Sequence, residues 1–220
     1  MIKNILAVGD SFTYGEELDN RDHAYPYYLA KGLKANVVNL GQPSGGNTQM
    51  INKVIDCVTS GEPVDLVIIG WTSPGRMEFA DANGVFDVWP GYGGALFRAG
   101  GQEWRLELLD YINKYHSPDY LYHKFLRDVI LMQSFLKERG IKYVMLSVVA
   151  NEYYHKTYYN DDSVLPKQID WANYVGWPNE GMAEWTAGCK RGPNGHFLEE
   201  GHRKVTAKLY EHIRNLGWLS

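Results

Sequence analysis

Cysteine is scarce: the 220 residues hold only Cys57 and Cys189. Two thiols build no disulfide framework and have no metal-ligand spacing, so both are expected to be reduced. The seven histidines show no ligand spacing either, and neither a resident metal nor a cofactor is expected. Long apolar runs are missing, since none approaches the roughly 18 residues that span a bilayer. Met1 leads almost directly into Ile5-Leu6-Ala7-Val8, which reads as a core strand rather than a signal peptide, so a cytosolic protein without membrane contact is expected. Clusters of Lys and Arg are also missing, and the formal net charge is -4. That leaves no positive field for polyanions, and nucleic acid is not an expected partner. No internal repeat or low-complexity tract is visible.

What is present is ordinary for one folded domain over residues 1–220. Hydrophobic content is 45% and charged content 22%, which excludes a disordered or fibrous chain. Aromatic content is higher than ordinary at 14%, with 16 Tyr and 7 Trp. Rings with polar edges suit sugar-binding surfaces, and equally a core or a subunit interface.

Apolar runs alternate with helical stripes. Ile5 to Val8 and Val37-Val38 read as strands, the second ending at Asn39-Leu40-Gly41, and Val64 to Ile69 is a continuous run typical of a strand covered on both faces. Tyr143 to Val149 reads as a fourth strand. Pro26 opens a short helix with Leu29 and Leu33 on one face. Asn47 is placed as the N-cap of a helix carrying Ile51, Val54, Ile55 and Val58. Ser117-Pro118 starts a long amphipathic helix that closes near Gly140, and the chain ends in a helix from about Glu199 to Asn215. Two aromatic, turn-rich stretches, 71–117 and 151–195, lack a sustained period and are read as insertions over the strand ends. The second leaves open a fifth strand. This order implies α/β architecture, a parallel sheet with helices on both faces, whose sites form at the carboxyl ends of the strands.

Those ends carry Gly9-Asp10-Ser11, Gly41 and Thr72. A lone Gly-Asp-Ser is as often a turn or a helix cap. Its company gives it weight. Gly9-Asp10-Ser11-Phe12-Thr13-Tyr14-Gly15, Asn39-Leu40-Gly41 and His196-Phe197-Leu198-Glu199-Glu200-Gly201-His202 together resemble three sequence blocks of the SGNH/GDSL hydrolase family, in order and across nearly the whole chain. The resemblance implies a three-layer flavodoxin-like fold, Ser11 as nucleophile and His196 as general base. It also implies an oxyanion site built from the N–H groups of Ser11 and Gly41 with a side chain from the third block, here Thr72.

Two positions depart from the family pattern. The third block, Gly-x-Asn-Asp in the family, is Gly70-Trp71-Thr72-Ser73 here, so a shorter hydroxyl stands where an amide is expected, with Ser73, Asn47 and Arg76 as substitute donors. The family's Asp three residues before the histidine is Pro193, followed by Asn194. A Ser-His dyad is therefore expected unless Glu152, Asp161 or Asp162 supplies a carboxylate. Asp10, Asn194 and Asn47 are candidate supports. His202 reads as a packed or capping residue rather than a second base. Trp71 and Arg76 are candidate substrate contacts, Arg76 toward a carboxylate or phosphate or else paired with Glu78.

The resemblance implies a serine esterase removing an acyl group, acetyl in the first instance, from a carbohydrate. The alternatives are an SGNH-fold glycan-binding or assembly protein with little activity, and an aromatic insertion that serves chiefly as a subunit interface in an oligomer.

Overall fold

The computed structural model describes residues 1–81, 84–88, 107, 110–112, 114–115, 117–151, 155–157 and 164–219. At its centre lies a five-stranded parallel sheet: β1 (Asn4–Gly9), β2 (Asn36–Asn39), β3 (Leu66–Trp71), β6 (Lys142–Ser147) and β7 (Tyr174–Val175), in the order β2-β1-β3-β6-β7. β1 and β3 run in register from Ile5↔Leu66 to Gly9↔Gly70, and β3 continues on β6 from Leu66↔Lys142 to Trp71↔Ser147. Between β3 and β6 an antiparallel hairpin, β4 (Met77–Asp81) and β5 (Gly84–Val88), forms a separate two-stranded sheet. It occupies the start of the first aperiodic insertion. Positions 82–83, 89–106, 108–109, 113 and 116 of that stretch, and 152–154 and 158–163 of the second, lie outside the described residues.

The sheet is buried because successive side chains point to opposite faces and both faces are covered. Ile5, Ala7, Leu66, Ile68, Val144 and Leu146 pack under α2 (Tyr25–Leu33) and α6 (Glu199–Asn215). Leu6, Val8, Val67, Ile69, Tyr143 and Met145 pack under α3 (Asn47–Thr59) and α4 (Pro118–Glu138). The helices present matching stripes. Val205, Leu209 and Ile213 of α6, four residues apart, are wholly buried, as are Val129 and Leu136 of α4. Ser117 caps α4 by accepting the Tyr120 N–H, with Pro118 in the first turn. The second insertion supplies the fifth strand, β7, and the short α5 (Met182–Trp185).

Asn47 does not cap α3. It is the first residue of the helix, behind Gly46, and its side chain turns away to the end of β3. There it accepts the Thr72 N–H at 3.0 Å and donates to the Thr72 carbonyl at 3.3 Å. A strand end buried under α3 needs partners for its backbone, and the Asn47 amide offers both an acceptor and a donor. Among the described residues, no helix is long and apolar enough to cross a membrane.

Candidate active site

Asp10, between β1 and a single helical turn α1 (Ser11–Tyr14), caps that turn: its carboxylate accepts the Phe12 N–H at 3.0 Å. This holds Ser11 at the first helical position, where its N–H has no acceptor within the helix. The second block braces the turn from behind. Asn39 donates its amide to the Thr13 carbonyl at 2.9 Å and accepts the Gly41 N–H at 3.0 Å. Gly41 is pressed onto α1, where a Cβ would stand 2.4 Å from the Tyr14 nitrogen. Its lack of a side chain thus serves contact with the turn carrying Ser11, and its N–H is donated to Asn39.

The last block arrives as a tight hairpin. Arg191 and Phe197 form an antiparallel bridge, Gly192 N–H reaches the His196 carbonyl at 2.8 Å, and Gly195 takes a left-handed φ of 90°. His196 is wedged by the Phe12 ring, 4.8 Å away between centroids. Its Nε2 lies 2.8 Å from Ser11 Oγ. Its Nδ1 lies 2.8 Å from Glu17 Oε2. A carboxylate can only accept, so Nδ1 carries the proton there and Nε2 is left to accept from the Ser11 hydroxyl.

Glu17 is not among the carboxylates expected from the sequence, Glu152, Asp161 and Asp162. It comes from the serine's own loop, six residues on. α1 ends in a left-handed Gly15, and the chain reverses so sharply that Glu17 itself adopts φ 65°. A non-glycine residue in that region costs roughly 1–2 kcal/mol, and such conformations persist where the surroundings over-determine them. Here the surroundings are three donors: Asn194 N–H at 2.7 Å, His196 N–H at 3.0 Å and the His196 ring. Burial works against the ionised form of Glu17, but these hydrogen bonds outweigh it and hold the carboxyl below the usual carboxylate range. The Asn194 backbone N–H is thus one of the groups that hold Glu17 in place.

Gly192 closes this clamp from below. A Cβ there would stand 2.6 Å from the Glu17 carboxyl carbon and 2.7 Å from both its oxygens. Gly192→Ala is expected to push Glu17 off His196 while deleting no polar group. Any ester hydrolysis that depends on Ser11 should then fall through kcat, with KM little changed, in steady-state assays.

Other residues expected at the site are committed elsewhere. Thr72, 4% exposed, is held at the end of β3 by the two Asn47 hydrogen bonds to its backbone. Asp10 is faced by Arg76 at 3.8 Å. Burial nonetheless dominates and raises the Asp10 carboxyl above its ordinary range. Arg76 donates to the Gly45 carbonyl at 3.1 Å, tying the second-block loop to the end of β3, and Glu78 accepts the Gln49 N–H. Ser73 Oγ accepts the Gly75 N–H. Trp71 offers no substrate surface: it is wholly buried, edge-on to Phe125. As the last residue of β3 it shares the parity of Val67 and Ile69, and the pleat drives it under α4. Glu152, Asp161 and Asp162 lie outside the described residues.

His202 is packed. Its Nδ1 accepts the Tyr25 N–H at 3.2 Å, its ring meets Phe197 at 4.6 Å, and it is 1% exposed. Burial first, and the charge of His196 second, push it down to about 3 from an ordinary 6.5. Between those values the unfolded chain binds a proton that the folded chain excludes. Its contribution to stability is therefore full above 6.5 and declines as pH falls toward 3. Thermal melts near neutrality and near pH ~4.5 should show a smaller acid-induced loss in His202→Asn than in wild type.

A parallel five-stranded sheet between two helical layers, with a serine at the end of β1 and a histidine before the last helix, defines the SGNH/GDSL hydrolase fold. Solved chains share it at low identity. TesA superposes with a TM-score of 0.59 at 16% identity over 97% of this chain and 99% of its own. The psychrotrophic esterase EstA from Pseudoalteromonas sp. gives 0.56 at 10% over 97% and 98%. CEX, a two-domain esterase active on acetylated mannans, gives 0.54 at 15% over 97% of this chain but 48% of its own. By sequence, the chain belongs to the family of unknown function DUF6071, which matches residues 15–220. That match contains Glu17 and His196 and begins after Ser11. No curated protein matches the sequence.

Proposed function

We propose that the chain is a serine ester hydrolase in which Ser11, His196 and Glu17 act as nucleophile, base and orienting acid. The observation that carries this is the unbroken chain of contacts from Ser11 Oγ through the His196 ring to Glu17, 2.8 Å at each link. A serine hydroxyl is a poor nucleophile without a base, and a base needs its tautomer fixed. Both needs are met. Ser11 Oγ bonds to the acyl carbon as its proton passes to Nε2. The bond to the alcohol then breaks and the alcohol leaves with that proton. Water repeats the sequence on the acyl-enzyme and restores Ser11. The Ser11 N–H, without a helical acceptor, is the donor best placed to meet the oxyanion. With the Gly41 N–H donated to Asn39, a modest rate is expected for simple esters.

For the alcohol, the reading is a carbohydrate, and for the acyl group, acetyl. Support comes from the surface beyond β7, where His155, Lys167, Trp171 and Trp177 line a cleft of 300 Å³ and Trp171 is 40% exposed. β7 lies three strands from β1, roughly 14 Å at about 4.8 Å per strand, a span that a short oligosaccharide covers. A related fold, CEX, acts on acetylated mannans. The test is labelling by a fluorophosphonate probe together with turnover of 4-nitrophenyl acetate and acetylated oligosaccharides. Wild type should react and Ser11→Ala and His196→Ala should not. If wild type neither labels nor turns over any ester, the glycan-binding reading replaces this one.

A further inference from the structure

His196 carries a carboxylate at each end of its ring. Glu17 holds Nδ1, and the neighbouring Glu16 places Oε2 3.5 Å from Nε2, the nitrogen that also faces Ser11. The two differ in their surroundings. Glu17 is nine-tenths buried and fully engaged by the last block, whereas Glu16 is 35% exposed. Glu16 also lines a polar cleft of 540 Å³ formed by the chain from Tyr14 to Asp22. The other charged walls of that cleft are Glu17, Asp19, Arg21 and Asp22, and the Arg21 guanidinium is drawn onto Tyr14, 4.7 Å above its ring and bonded to its hydroxyl. The field beside Nε2 is therefore negative.

Position decides what Glu16 can do. In the reaction proposed above, the Nε2 proton goes to the departing alcohol, so the alcohol oxygen must come within hydrogen-bond distance of Nε2. A carboxylate 3.5 Å from the same nitrogen then stands against the alcohol half of the ester, not the acyl half. Resting on the assignment of Ser11 and His196, we propose that Glu16 is a specificity residue for the alcohol: it accepts a hydrogen bond from a hydroxyl or ammonium group next to the ester and rejects alcohols bearing a negative charge there. Unit charges separated by about 6 Å at an effective dielectric of 20 to 80 interact strongly enough to change a rate several-fold to about a hundredfold, and salt weakens the effect at an exposed site.

The experiment uses three aryl acetates whose alcohols carry a positive charge, no charge and a negative charge: 3-acetoxy-N,N,N-trimethylanilinium, phenyl acetate and 3-acetoxybenzoate. Intrinsic reactivity differs among them but cancels when each variant is compared with wild type. In Glu16→Gln the ratio of kcat/KM for the cation to that for the anion is expected to fall roughly tenfold, while Glu16→Asp keeps most of it; raising salt should shrink the wild-type ratio and leave that of Glu16→Gln nearly flat. A ratio unchanged within about twofold in Glu16→Gln, with turnover still dependent on Ser11, overturns the role of Glu16 alone. If none of the three acetates shows Ser11-dependent turnover in a wild type that melts cooperatively, the hydrolase assignment fails and this role fails with it.

Discussion

Ser11→Ala is expected to remove all but a residue of ester hydrolysis, a loss on the order of 10⁶-fold in kcat if the three groups act as a unit. Among the described residues the hydroxyl has one hydrogen-bond partner, His196 Nε2 at 2.8 Å, while the structural duties of residue 11 belong to its backbone carbonyl, which accepts from Gly15 and Glu16. Alanine keeps that backbone, so the melting temperature should stay close to wild type and fluorophosphonate labelling should vanish. The decisive arm is the double variant. His196→Ala alone removes the base, and without it the Ser11 hydroxyl is no longer activated. Ser11→Ala with His196→Ala should therefore lose about as much as either alone, not the product of the two. Multiplying losses would mean that the 2.8 Å contact does not couple the two residues in catalysis.

The fold was legible where burial forces a pattern. Val64 to Ile69 reads as a two-sided buried strand because apolar residues fill both of its faces, and β3 runs Leu66–Trp71. The last helix reads at its observed bounds because Val205, Leu209 and Ile213 mark one face. Trp71 shows the limit. The apolar run ends at Ile69, which leaves Trp71 to the cover, yet its parity with Val67 and Ile69 places it on the α4 side. Gly41 was legible by its place in the second block, but its contact with the backbone of α1 is one that no spacing in the sequence reveals. Ser11 and His196 were legible by block order, and 185 residues apart they meet. Glu17 was not, because the position expected to hold the acid is Pro193 and the other candidate carboxylates, Glu152, Asp161 and Asp162, belong to the second aperiodic stretch and not to the loop after Ser11. The available signal was short-range: Glu16-Glu17 follows Gly15 directly, and a glycine ending one helical turn reverses the chain toward its start.

Glu17→Gln tests that replacement of the acid, with a loss on the order of 10⁴-fold in kcat expected. The carboxylate accepts from three N–H groups, on Asn194, on the His196 backbone and on Nδ1. A glutamine offers one oxygen in place of two and turns an NH₂ toward donors, so at least one N–H loses its acceptor. Leaving such a part-buried donor unpaired costs at most about 1–3 kcal/mol, and a somewhat lower melting temperature is expected as well. The kinetic effect has to be read where the variant is still folded. If the NH₂ faces Nδ1, the ring is driven to the other tautomer, with its proton on Nε2, and it can no longer accept from Ser11. KM should change little, because Glu17 holds the ring from behind and is not expected to touch the ester. The same substitution changes the response to acid. A carboxyl held below its ordinary range stabilises the fold above its unfolded value of 4.5 and loses that contribution as pH falls through its folded value, so the variant's melts should be flatter over that window. Activity near wild type in Glu17→Gln, together with a large loss on neutralising Glu152, Asp161 or Asp162, would return the acid to the second insertion. A loss of activity matched by the loss of stability alone, with no change in the pH dependence of the melts, would make Glu17 a brace for the 191–197 hairpin and leave His196 and Ser11 as a dyad.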